Sequence, residues 1–179
     1  MTLSRSQLQP LPAYFDRYIE QCDDVDVQTA LLIALDELEH APLDEWEQIG
    51  DRVYAPGKWT IKDILQHLID TERVFSYRAT SFARGEAEVQ GYDEEHYGRE
   101  ARATRRTLTD LHEEAMAVRR STIHQFRSFD EAMLSRVGQG FKGPYSVHSI
   151  GFIIAGHQRW HSRIIEELYS ALGARATGV

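Results

Sequence analysis

Two histidines, His157 and His161, stand four residues apart in a segment whose apolar residues recur with helical spacing. Positions 150, 154, 157, 161, 164 and 168 form one stripe of an α-helix, so both imidazoles belong to its buried face and can approach a common point. Burying two polar rings is costly unless partners satisfy them. A metal ion about 2.0 to 2.1 Å from each nitrogen would satisfy both. The spacing alone also allows two core histidines that hydrogen-bond to the backbone.

A third metal ligand would have to come from another helix, and His67 is the best candidate. It lies one turn after Ile64, at the edge of the apolar stripe of the second predicted helix. An edge position does not force burial, so its spacing also fits a histidine at the surface. The remaining histidines lie in predicted loops or off the apolar stripes, and we expect them to be solvated: His40, His96, His112, His124 and His148.

Four helical patterns would position these side chains, and no convincing strand alternation accompanies them, which predicts an all-α fold. Asp26 and Thr60 are the N-cap candidates of the first two helices. Including these caps, the predicted helices cover residues 26–38, 60–84, 107–129 and 146–172. An amphipathic segment before them is predicted to form an extra helix outside the four, with the apolar residues Leu11, Tyr14, Phe15, Tyr18, Ile19 and Cys22.

Two long polar connections, residues 40–59 and 85–104, separate the predicted helices. Long loops in a compact domain are often functional, and residues 85–104 could lie over one end of the bundle.

Composition indicates one globular domain over residues 1–179, with its core at about 26–173. With 42% hydrophobic and 27% charged residues, the chain is too apolar for disorder, and it has no run that could span a bilayer. The N-terminus lacks a secretory pattern, so we expect a soluble, cytoplasmic protein. A net charge of -8 makes nucleic acid an unfavourable partner. The single cysteine, Cys22, excludes an intrachain disulfide or thiolate cluster.

The segment YAPGKWTIKDILQHLIDTERVFSYRATSFARGE, followed later by SIGFIIAGHQRWHSRIIEELY, resembles the DinB/YfiT-like superfamily. With the intervening GYDEEHYG these motifs cover much of the chain, and they occur in the family's order. The resemblance implies a four-helix bundle that holds one divalent metal ion between His67, His157 and His161. The pair reads HQRWH and lacks the glutamate of HExxH, which disfavours peptidase activity.

Three imidazoles leave at least one coordination position open, as in catalytic metal sites. Because relatives of this kind include thiol-dependent S-transferases and isomerases, the resemblance implies a metal ion that lowers the pKa of a small-molecule thiol. Two alternatives stay open: a metal-dependent hydrolase of a small molecule and a non-catalytic metal-binding module of a stress response. The candidates for moving protons are Glu72, Tyr92, Asp93 and His96, which could equally be ordinary surface residues.

Imidazole ligation suits several divalent ions, among which we expect nickel or zinc. The resemblance further implies a small-molecule substrate, a low-molecular-weight thiol as possible co-substrate, and a homodimer.

Overall fold

The computed structural model describes residues 3–174 of the 179-residue chain. In this range the chain forms the helices α1 (Asp16–Ile19), α2 (Val27–Glu39), α3 (Leu43–Ile49), α4 (Ile61–Ala83), α5 (Glu94–Ala101), α6 (Leu108–Arg127), α7 (Glu131–Leu134) and α8 (Val147–Ala174). A hairpin of β1 (Val137–Gly140) and β2 (Gly143–Ser146) lies between α7 and α8. None of the helices in the described range has the length and apolarity needed to cross a membrane.

The long helices α2, α4, α6 and α8 form a four-helix bundle, which confirms the predicted fold class. Helix α8 packs against α2 and α4, and α6 packs against the same two helices. The predicted helix starts agree with the structure because side-chain oxygens accept hydrogen bonds from backbone amides of the first turn. Asp26 does this for α2, Thr107 for α6, and Thr60 for α4, where Asp63 completes a capping box.

Two groups of buried apolar side chains fill the bundle. On α8, the histidines lie between the residues of the first group and those of the second. The first group includes α8 residues up to Ala155, and the second begins on α8 at Ile165. The positions of α8 between the two groups therefore carry the polar residues His157 and His161.

The β-hairpin is a difference from the sequence-based expectation of no strands. Its strands have four residues each and pair antiparallel, with Val137 opposite Ser146 and Gly140 opposite Gly143. Strands this short and rich in glycine carry too little alternation to be recognised. Gly140 is required because a Cβ at this position would overlap the hydroxyl of Tyr145.

The N-terminal segment packs beside the four long helices, as predicted, but it is less helical and more deeply buried than an outer helix would be. Only Asp16–Ile19 forms an α-helix, and Phe15, Ile19 and Cys22 are buried in the main apolar group. The segment lies directly against α8, where a Cβ on Gly156 would overlap the carbonyl oxygen of Tyr18. A helix of one turn gives little periodicity, but its apolar residues are large enough to fill the side of the bundle.

The expectation of solvated histidines is right for His40, His96 and His124, which are exposed, and wrong for the other two. The two long connections contain α3 and α5, and His112 and His148 are buried. The Nε2 atom of His112 lies 2.6 Å from the carbonyl oxygen of Leu38. This oxygen belongs to the last turn of α2, where carbonyls lack partners within the helix.

Candidate metal centre

Three histidine side chains converge where α4 packs against α8. The Nε2 atom of His157 lies 3.2 Å from Nε2 of His67 and 3.1 Å from Nε2 of His161. One ligand atom from each residue lies within 4.8 Å of the other two. His157 and His161 meet because they are one turn apart on α8, and His67 faces them from α4.

Burial keeps these imidazoles neutral. It lowers the pKa of His67 to about 3 and that of His161 to about 4. The pKa of His157 is also lowered far from its usual value by burial and, secondarily, by the two neighbouring histidines. Each ring therefore offers an uncharged nitrogen lone pair at neutral pH, which is the form that binds a metal ion.

The arrangement fits a shared metal ion better than hydrogen bonds between the rings. A neutral imidazole has one N–H, so three Nε2 atoms facing one another cannot all be satisfied by mutual donation. Two nitrogens bound to one tetrahedral ion at 2.0 to 2.1 Å are about 3.3 Å apart, close to the observed separations. Within the described residues, the cluster includes no further histidine, cysteine, aspartate or glutamate.

Aromatic rings and a threonine hold the imidazoles in place. The ring of Trp59 packs on His67 with centroids 4.8 Å apart, and Tyr18 packs edge-on against His157 at 4.9 Å. Thr71 lies one turn after His67, with its hydroxyl 3.4 Å from Nδ1 of that ring. Such contacts fix ring orientation and limit the access of water to the site.

A cavity of 550 Å³ reaches the cluster at His157. One wall is the face of α4 that carries Thr71, Phe75 and Arg78, and the opposite walls come from the N-terminal segment and the start of α5. A separate cavity of 220 Å³ reaches His161 beside Trp59, and Glu95 lines both cavities. The cluster is thus approached from two sides.

The four residues predicted to move protons lie in different surroundings. Glu72 is buried behind His157, in the wall of a cavity of 20 Å³, and each of its oxygens accepts a hydrogen bond of 2.9 Å from Arg119. Tyr92 lines the 550 Å³ cavity, where its hydroxyl lies 2.6 Å from that of Thr71 and burial raises its pKa to about 12. Asp93 caps α5 at the cavity wall, and His96 is exposed on α5.

Sequence reasoning missed several residues around the cluster, namely Tyr18, Trp59, Thr71, Arg78 and Glu95. Two of them could have been found from spacing. Positions 64, 67, 71, 75, 78 and 82 form one stripe along α4, which places Thr71 and Arg78 on the same face as His67. The others come from segments whose placement depends on tertiary packing.

Comparisons with known proteins agree with this architecture. The model of the DinB superfamily matches residues 13–165. Among solved structures, the chain is similar to YfiT from Bacillus subtilis, described as a probable metal-dependent hydrolase with an unusual four-helix bundle topology. The similarity has a TM-score of 0.63 at 16% sequence identity and covers 97% of this chain and 90% of YfiT. No curated protein sequence matches the chain.

Proposed function

The chain belongs to the DinB superfamily, and on this premise we propose that it is a metal-dependent enzyme acting on a small molecule. The observation that carries the proposal is the convergence of three neutral imidazoles, two buried and one half-buried, beside a cavity of 550 Å³. In this proposal His67, His157 and His161 hold one divalent ion, nickel or zinc. When bound there, such an ion would supply the Lewis acidity that lowers the pKa of a thiol or a water molecule.

The reaction we favour is the transfer of a low-molecular-weight thiol to a small-molecule acceptor. A thiolate has to come from outside the chain, because the single cysteine is not available to the site. The Sγ atom of Cys22 contacts the carbonyl oxygen of Phe152 at 3.4 Å. Burial raises the pKa of this thiol to about 12, so it stays protonated and unreactive.

The residues around the cluster have distinct tasks in this proposal. Trp59 and Tyr18 exclude water and keep the imidazoles oriented, while Thr71 links His67 to the phenol of Tyr92. With its pKa raised to about 12, Tyr92 keeps its proton at neutral pH. It can therefore donate a hydrogen bond to an oxygen of the acceptor in the cavity.

Hydrolysis is the second candidate function. YfiT, to which the fold is similar, is described as a probable metal-dependent hydrolase. The position of Glu95 in the walls of both cavities favours the same reaction, because a carboxylate at this place can accept a proton from a water molecule near the histidines.

A cytoplasmic location and a homodimeric state complete the proposal, and sedimentation of the purified protein would test the latter.

Cobalt-substituted protein provides the test of thiol binding. Glutathione, bacillithiol, mycothiol and coenzyme A would be added at millimolar concentration, and a sulfur-to-cobalt charge-transfer band is expected with the thiol that the protein uses. His67→Ala should abolish the band, whereas His96→Ala should retain it because His96 is exposed on α5. If none of the thiols changes the spectrum, hydrolysis becomes the better proposal. A protein that binds the ion but neither transfers thiols nor hydrolyses substrates would be a metal-binding module.

A further inference from the structure

Arg78 is a buried cation without a carboxylate partner. Its side chain is 1% exposed, and among the described residues no acidic oxygen lies within 4.0 Å of it. Nη2 donates a long hydrogen bond of 3.3 Å to the carbonyl oxygen of Gln90, and Nε has no partner in the described part of the chain. Arg119 is equally buried, but Glu72 binds it through two hydrogen bonds.

Burial of an unpaired guanidinium opposes folding, because the group stays charged and loses its hydration. A paired arginine such as Arg119 recovers part of this free energy, whereas Arg78 does not. Arg78 also lies in the wall of the 550 Å³ cavity that reaches His157. A buried cation that faces a cavity, has no carboxylate partner and makes one long hydrogen bond to a protein carbonyl is suited to a ligand that brings an anionic acceptor.

We propose that Arg78 binds the carboxylate of the small-molecule substrate, whose apolar body lies on the aromatic wall of the cavity. The inference rests on the proposed function and names its substrate class. Arginine forms two parallel hydrogen bonds with a carboxylate, and its planar fork matches the geometry of the two oxygens. The aromatic residues that line the cavity are Tyr14, Phe15, Tyr18, Phe75, Tyr92 and Phe141.

The charges of the cavity favour a carboxylate over a phosphate. Asp93, Glu94 and Glu95 line the same cavity as Arg78. These acidic side chains would repel a dianion more strongly than a monoanion. A single guanidinium is therefore matched to a single negative charge.

Arg78 lies at a distance from the histidines, so a substrate carboxylate bound to it would be separated from the substrate group that reacts. His67 and Arg78 are on one face of α4, and their α-carbons are roughly 16 Å apart along the helix. The arginine side chain leans back toward the N-terminal end of the helix. Its guanidinium carbon lies 4.9 Å from the ring centroid of Phe75 and 5.9 Å from that of Tyr92. The substrate would thus lie between Arg78 and His157, with its carboxylate at the arginine end.

Calorimetry on the metal-free protein tests this inference without depending on the metal. The probes are 3-phenylpropionate, 3-phenylpropanamide and phenyl phosphate. Wild-type protein should bind the carboxylate at least about tenfold more tightly than the amide or the phosphate, since the carboxylate gains charge-assisted hydrogen bonds and a dianion is repelled. Arg78→Met and Arg78→Gln should each remove that preference. Arg73→Met, which removes an exposed arginine of the same helix, should keep it.

Thermal unfolding without ligand adds a readout that separates binding from structure. Arg78→Met should be at least as stable as the wild type, because a buried unpaired charge is removed. A lower Tm for both Arg78 variants would assign the residue a structural role and overturn the inference. Equal affinities for the acid and the amide, tighter binding of the phosphate, or no binding of any probe would also overturn it. Failure of the protein to bind metal would leave these results unchanged and would count against the proposed function alone.

Discussion

The ring of Tyr18 packs edge-on against the imidazole of His157, with the two ring centroids 4.9 Å apart. This contact makes the N-terminal segment part of the candidate site. Gly156 permits the approach, because any larger residue there would meet the carbonyl oxygen of Tyr18. The site thus depends on a segment that lies outside the four long helices in sequence.

The first prediction concerns metal content. Loading with zinc or nickel should give about one ion per chain, and a free ion concentration of one hundred times Kd should stabilise the protein by about 2.7 kcal/mol. His157→Ala and His161→Ala should lose both effects, and His96→Ala should keep them. Elemental analysis after mild dialysis and thermal unfolding are the measurements. Full metal content in both ligand variants would refute the three-histidine site.

The second prediction is the pH dependence of the metal-free protein. The pKa of His67 falls to about 3 on burial, from 6.5 in the unfolded chain, so the unfolded state binds more protons between these values. The stability contributed by this residue is therefore complete above pH 6.5 and decreases as the pH falls toward 3.

Urea unfolding at several pH values measures this effect. Below pH 6 the loss should approach about 1.4 kcal/mol per pH unit for His67, and His67→Leu should remove this part of the slope. His124→Leu is the matched control, because His124 is already exposed in the folded protein. If the free energy of unfolding of His67→Leu varied with pH as steeply as that of the wild type, His67 would not be buried as a neutral imidazole. Because burial lowers the pKa of His67 and His161 in the folded protein, protons should compete with the metal for the folded site only well below pH 6.5.

The third prediction addresses the N-terminal segment. Gly156→Ala should destabilise the protein by roughly 1–3 kcal/mol, because the new methyl group forces the backbone of Tyr18 away from α8. Trp160 packs at 5.7 Å from Tyr18, so its fluorescence should report the displacement. Gly91→Ala is the control, since its Cβ would make ordinary contacts with Phe141. Unchanged stability and fluorescence in Gly156→Ala would show that the segment does not pack as described.

The fourth prediction distinguishes a structural from a catalytic role of Glu72. Arg119→Met should destabilise the protein by about 3–5 kcal/mol, because it leaves the carboxylate buried without its partner. Adding Glu72→Leu should restore most of this stability, and a double-mutant cycle would measure the coupling. If Glu72→Gln instead abolished thiol transfer or hydrolysis without any loss of stability, a catalytic role would replace the structural one.

Part of the site is predictable from the sequence because the information is local. His157 and His161 are four residues apart on an apolar stripe, and this spacing places both rings on one helix face. Spacing alone does not identify His67 as the third metal ligand, because periodicity within one helix does not say which helix lies opposite. The family motifs supplied that pairing.

The remaining features depend on contacts between residues distant in sequence. The burial of His112 depends on its hydrogen-bond contact with the carbonyl oxygen of Leu38 on another helix, which no local pattern indicates. The sequence does not predict a buried Arg78, because arginine side chains are usually solvated, although Arg78 lies on the same helical stripe as His67. A one-turn helix such as Asp16–Ile19 leaves almost no periodic signal, so its place against α8 is a property of tertiary packing.

The two cavities beside the histidines have a kinetic consequence. One reaches His157 and the other reaches His161, so two reactants can arrive by separate entrances. In the thiol transfer proposed above, neither reactant would have to leave before the other enters, so we expect a sequential mechanism with a ternary complex. A ping-pong mechanism through a cysteine intermediate is disfavoured, because the single thiol of Cys22 is buried against Phe152. Intersecting rather than parallel reciprocal plots would be the signature of this architecture in steady-state rates.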